Sequence, residues 1–111
     1  MKSFLYAFRG IGYLLSTQRN ARFHALATVL VVAGGFWVEL DRFEWCLVAL
    51  ACGLVLVAEA LNTAVECLAD ALHPDPHPGI GHAKDVAAGG VLLASLAATL
   101  LGALLFLPKV W

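Results

Sequence analysis

Glu59 and Glu66 stand seven residues apart in A-E-A-L-N-T-A-V-E-C-L-A-D (58–70), with Asn62 and Thr63 between them and Asp70 closing the run. On a helix at about 100° per residue, with Glu59 as zero, Thr63 falls near 40°, Asp70 near 20°, Glu66 near −20° and Asn62 near −60°. The five polar side chains form one stripe within about 100°, while Leu61, Val65 and Leu68 occupy the other faces. Two carboxylates two turns apart, with an amide on the same face, suit divalent-metal and phosphate chemistry. One can hold Mg²⁺ through an oxygen and the other can take a proton. The run before the stripe, Trp45 to Ala58, carries no charge. A carboxylate at a bilayer centre costs about 2.5–3.5 kcal/mol on insertion scales. The stripe therefore needs an interfacial position, protonation, a cation or another helix. Asn and Thr also serve as interhelical hydrogen-bonding groups, and Asp70 taken alone can mark the water line.

Lys84-Asp85 is the next candidate pair. A lysine there can hold a phosphate and an aspartate can orient it; a snorkelling ion pair at a helix end is the structural alternative. His73, His77 and His82 with Asp75 could bind a transition metal, but Pro74 and Pro76 break any helix between the first two. A polar loop is the simpler reading. No Walker A sequence occurs, and R-G-I-G-Y and P-G-I-G-H-A-K contain GxG without the rest of a nucleotide fingerprint. Cys46, Cys52 and Cys67 lie in or beside one apolar stretch without CxxC spacing, and read as small buried hydrophobes.

The elements that must carry these residues follow from apolar periodicity. Hydrophobic residues make up 61% of 111 and charged ones 14%, with mean hydropathy +0.84, which is greasier than a soluble domain. A net charge of −1 gives no general pull toward nucleic acid. Residues 1–20 show no signal-peptide pattern. From about 3 to 18, Phe4, Phe8, Ile11 and Leu15 share one helical face, which reads as an amphipathic helix lying in the membrane interface. Spans are expected at about 22–40, 45–72 and 83–107. A polar turn at 39–44 and a loop at 73–82, rich in Pro and Gly, separate them, and Pro108 should end the last. The expected fold is all-α and membrane-embedded, a single domain over 1–111. Lys2, Arg9, Arg19, Arg22 and Lys84 fall on one side and Arg42 and Lys109 on the other. That bias puts the N-terminus and the proline loop in the cytoplasm and the C-terminus outside.

With these residues in view, the chain resembles the small integral-membrane lipid kinases of bacteria, diacylglycerol kinase and its relative undecaprenol kinase. A-E-A-L-N-T-A-V-E (58–66) and A-K-D-V-A-A-G (83–89) carry the likeness, with R-N-A-R-F-H (19–24) as a weaker third element nearer the undecaprenol branch. The resemblance covers essentially the whole chain. It implies a homotrimer with sites shared between subunits, in the cytoplasmic or inner membrane. The implied activity is ATP- and Mg²⁺-dependent phosphorylation of a lipid hydroxyl, undecaprenol ahead of diacylglycerol. By the family pattern, Glu59 matches the general base, Asn62 orients groups beside it, and Glu66 matches a Mg²⁺ ligand that also meets the nucleotide. Lys84 and Asp85 match nucleotide positions, as do Tyr6 and His77 less firmly, while Arg22 and Asn20 fall with the substrate. One position departs. The second metal-binding glutamate of the family would stand forty-one residues before the base, where this chain has Gln18, and no Asp or Glu precedes Glu39. A non-catalytic lipid- or nucleotide-binding protein and a small proton or cation channel remain as alternatives from other functional classes.

Overall fold

Three short interruptions cut the apolar chain into helices. The computed structural model describes residues 2–111, which form α1 (Lys2–Thr17), α2 (Arg19–Trp37), α3 (Arg42–Leu72) and α4 (Pro78–Val110). The all-helical expectation holds among the described residues. Helix α1 buries none of its side chains, and its apolar face, with Phe4, Phe8 and Ile11, is exposed. The elbow after it is Gln18, whose extended backbone breaks the helix and opens α2. Arg22 ties the elbow down, donating to Leu15 O at 2.9 Å and Ser16 O at 3.1 Å, carbonyls that α1 leaves without partners.

The turn from α2 to α3 has local causes on both sides. Glu39 adopts a left-handed backbone with φ 59°. Leu40 N–H then reaches Gly35 O at 3.0 Å and Glu39 N–H reaches Phe36 O at 3.3 Å, the paired bonds of a Schellman stop. Asp41 starts α3 through a capping box: Asp41 Oδ1 accepts from Glu44 N–H at 2.8 Å, and Glu44 Oε1 accepts from Asp41 N–H at 3.0 Å. Glu44 also pairs with Lys109 at 3.1 Å, which fastens the far end of α4 to the start of α3.

Helix α4 departs from the sequence expectation at both ends. It begins at Pro78, so the loop is 73–77. Proline is tolerated in a first turn, where its missing N–H costs nothing, and His77 caps that turn by accepting from Gly79 N–H at 3.0 Å and Ile80 N–H at 3.4 Å. Nor does Pro108 end the helix, which continues to Val110, with Trp111 N–H bonded to Leu107 O at 3.0 Å.

Helices α3 and α4 are long and apolar enough to cross a membrane. At about 1.5 Å per residue both exceed a hydrocarbon core of about 30 Å. Large apolar side chains such as Leu50, Leu61, Leu93 and Leu104 face outward, unlike those of a core helix in a soluble protein. Helix α2 is the weaker case for a span. It has 19 residues, and Arg19, Asn20 and Arg22 occupy its first turn.

Adjacent glycines on α2 give a test of the packing. A Cβ on Gly35 would lie 2.6 Å from Trp45 Cη2 and 2.9 Å from Leu40 Cδ1, whereas one on Gly34 meets only Phe106 Cε1, at 3.5 Å. Gly35→Ala should destabilise by about 1–3 kcal/mol through overpacking. Gly34→Ala should be neutral or stabilising, since alanine favours the helix by about 1 kcal/mol. Thermal unfolding in detergent micelles reads both.

Candidate active site on the third helix

The stripe expected on α3 forms, and its exposure is graded along the helix. Glu59 is 2% exposed, Thr63 5% and Asn62 9%. Glu66 is half-buried one turn further on, and the Asp70 side chain is 65% exposed. A helix that leaves an apolar layer for water would show this gradient.

Helix α2 packs against α3 beside Glu59. From α2, His24 Nε2 stands 3.7 Å from Glu59 Oε2, and its side chain is 17% exposed. Among the described residues Glu59 Oε2, Asn62 Oδ1 and Thr63 Oγ1 are buried without a hydrogen-bond partner. Buried polar atoms are rarely left so, and several together mark a place where another group belongs. Asn62 and Thr63 open to opposite sides. A cleft of about 680 Å³ between α3 and α4 is lined by Ala58, Asn62, Ala83, Ala87 and Gly90. One of about 430 Å³ between α1 and α3 is lined by Gly10, Tyr13, Leu14, Thr63 and Cys67. Tyr13 Oη lies 3.8 Å from Cys67 Sγ across that second cleft, and this contact pushes the tyrosine hydroxyl above its usual titration range.

At the outer end of the stripe, Lys84 of α4 pairs with Asp70 of α3. That contact brings the lysine beside the polar face. It also gives Asp70 a partner, in keeping with its reading as a residue at the water line. Asp85 is exposed and makes no ion pair among the described residues. A cleft of about 280 Å³ beside the pair is lined by Asp70, His73, Asp75, His77 and Lys84. His77 Nδ1 accepts backbone N–H groups, so in the neutral ring the proton sits on Nε2, free to donate. No group of three His, Cys, Asp or Glu among the described residues comes close enough to hold a metal ion.

The remaining candidates lie on α1 and the elbow. Tyr6 is exposed, with the Arg9 guanidinium 5.6 Å above its ring. Gln18 is half-buried and donates through Nε2 to Thr17 Oγ1 at 3.3 Å. Asn20 is exposed, and Arg22 is engaged with the α1 carbonyls. His24 is the residue that sequence reasoning passed over. It closes R-N-A-R-F-H, but only the packing of α2 on α3 puts it beside Glu59.

Mg²⁺ needs few protein ligands. It keeps several waters and is bound through one or two carboxylates together with substrate phosphates. Glu66 suits it: a half-buried carboxylate with no ion pair among the described residues, on the face that carries Lys84's partner.

The model of the prokaryotic diacylglycerol kinase family matches residues 5–106, nearly the whole chain. The chain belongs to the prokaryotic diacylglycerol kinase family. It is thus a lipid kinase, and its exposed apolar helices are those of a membrane protein. Undecaprenol kinase of Bacillus subtilis strain 168 is 43% identical over 108 residues, covering 97% of this chain and 88% of that protein. Diacylglycerol kinase of Synechocystis is 40% identical over 107 residues, 96% of this chain and 61% of that longer protein. Diacylglycerol kinase of Escherichia coli K12 is 27% identical over 95 residues, 86% and 78% of the two chains.

If Arg22 chiefly holds the elbow of this kinase, Arg22→Ala should cost about 1 kcal/mol of stability through its lost charged hydrogen bonds. Arg22→Lys should recover part of that, and Asn20→Ala should cost nothing. Thermal midpoints in micelles, measured without substrate, separate this from a role confined to the substrate.

Proposed function

We propose that the protein transfers the γ-phosphoryl group of ATP to the hydroxyl of a membrane lipid alcohol, with undecaprenol as the acceptor and undecaprenyl phosphate as the product. The observation that carries this reading is Glu59, a carboxylate buried on an apolar helix with Oε2 unpartnered. In the proposed step the lipid O–H gives its proton to Glu59 as the oxygen bonds to Pγ, and the bond from Pγ to the β-phosphate oxygen breaks to release ADP. Such a transfer needs positioning, charge neutralisation and a base, with little covalent work by the protein. Asn62, one turn from Glu59, orients the acceptor. Lys84 and Asp85, with Tyr6 and His77, receive the nucleotide, and Arg22 and Asn20 flank the lipid. Bound Mg²⁺, held by Glu66 and the ATP phosphates, supplies neutralisation of the developing phosphate charge.

The membrane placement belongs to the same reading. Helix α1 lies in the interface, α2 to α4 cross the bilayer, the N-terminus and the 73–77 loop are cytoplasmic and the C-terminus is outside. The chain works as a homotrimer, in which a neighbour's helix covers clefts that one subunit leaves open. An interfacial site lets a long lipid keep its tail in the bilayer and present only its hydroxyl. Undecaprenol is preferred because the undecaprenol kinase of Bacillus subtilis is the more similar relative and matches along more of its own length. Diacylglycerol is the second reading, supported by 40% identity to the Synechocystis diacylglycerol kinase.

Phosphorylation of undecaprenol and of diacylglycerol by ATP and Mg²⁺ in mixed micelles tests this, with Glu59→Gln as control. The expected outcome is faster turnover with undecaprenol and a loss of at least ~10²-fold in the control, the scale of a missing general base. Turnover retained in Glu59→Gln would remove the base from this account, and faster turnover with diacylglycerol would reverse the choice of acceptor. Gln18 brings a neutral oxygen where the family pattern has an acid. Gln18→Glu should therefore lower the Mg²⁺ concentration at half-saturation, and an unchanged or higher value would show that the position does not limit metal affinity.

A further inference from the structure

A buried base must be aimed. Helix α3 alone does not aim Glu59, since Oε2 has no hydrogen-bond partner among the described residues. The group nearest to providing one is His24 Nε2 on α2, at 3.7 Å. That is about half an ångström beyond a normal N–H···O hydrogen bond. Catalytic hydrogen bonds are often long before substrate binds and tighten in the reacting complex. One contact touches the ring itself: the Phe23 ring stands edge-on to the imidazole at 5.9 Å between centroids. Behind it lies a cleft of about 230 Å³ between α2, α3 and α4, lined by His24, Thr28, Cys52, Ser95 and Thr99. Ser95 Oγ is buried there without a partner, although most of the lining is apolar, with Phe23, Ala27, Val31 and Val55.

We infer that His24 is the positioning residue of the base, donating its Nε2–H to Glu59 Oε2 so that the carboxylate presents Oε1 to the lipid hydroxyl. The inference rests on Glu59 being the base, as set out above. A donor on one oxygen fixes the rotation of the carboxylate. Its removal should slow the chemical step and leave substrate affinity largely intact, because nucleotide and lipid tail are held elsewhere.

The test uses the full chain in mixed micelles, with kcat and KM measured for ATP and for the lipid. His24→Leu should lower kcat by about 10²-fold, the usual scale for losing one aimed donor. KM values should stay within about threefold, a pattern that marks loss of an interaction made in the transition state. His24→Gln retains an N–H donor and should recover at least tenfold of that loss, which a role confined to packing would not give. In the Glu59→Gln background, His24→Leu should cost little more, since residues acting as a unit are not additive. Equal kcat for the Leu and Gln variants, a loss seen only in KM, or full additivity with Glu59→Gln would overturn the inference while leaving the kinase reading intact. Turnover in Glu59→Gln equal to that of the unsubstituted protein would instead overturn the reading of Glu59, and this inference with it.

Discussion

An isolated carboxylate resists leaving water, and Glu59 has done so at the middle of a long apolar helix. Removing an ionised group from water costs several kcal/mol unless a partner compensates. Much of the fold can be understood as the set of neighbours that this one side chain requires. Helix α2 brings His24 against it. Asn62 and Thr63 sit one turn away on the same face, also buried and also short of partners. A site held this far from satisfied within one chain is suited to a reaction that delivers a hydroxyl and a phosphate to it.

The two ends of the stripe differ in setting. The buried end is suited to proton transfer, because a base in an apolar setting interacts strongly with whatever approaches it. The exposed end, where Lys84 meets Asp70 and His77 keeps a donor free, is suited to a charged and hydrated nucleotide. Glu66 lies between them. In the proposed reaction a lipid alcohol and ATP come from opposite media, and a helix that runs from apolar to wet over three turns would give each a place. The elbow at Gln18, held by Arg22 across the carbonyls of α1, sets where α1 lies against α3 and so shapes the cleft that Thr63 and Tyr13 share.

The stripe was legible because helical periodicity puts residues 59, 62, 63, 66 and 70 on one side whatever the helix packs against. The capped turn at 39–44 was legible for a similar reason, since its signals are local. His24 was not, because its place beside Glu59 depends on how α2 docks on α3, and no spacing along the chain encodes that register. The start of α4 was misjudged where two rules compete. Three prolines between 74 and 78 read as breakers, yet the last of them sits in a first turn, where proline is favoured, and His77 supplies the cap.

The central claim is that the position of the Glu59 carboxylate, and not merely its charge, sets the rate of phosphoryl transfer. Glu59→Asp keeps the charge and draws the carboxyl back by one methylene, about 1.5 Å. Rapid-quench measurement of a single turnover, with the lipid acceptor in excess and ATP bound, isolates that step. The account predicts transfer slowed about 10²-fold, since a misplacement of about 1 Å costs that much, with nucleotide affinity unchanged. A rate within about twofold of the unsubstituted protein would contradict it.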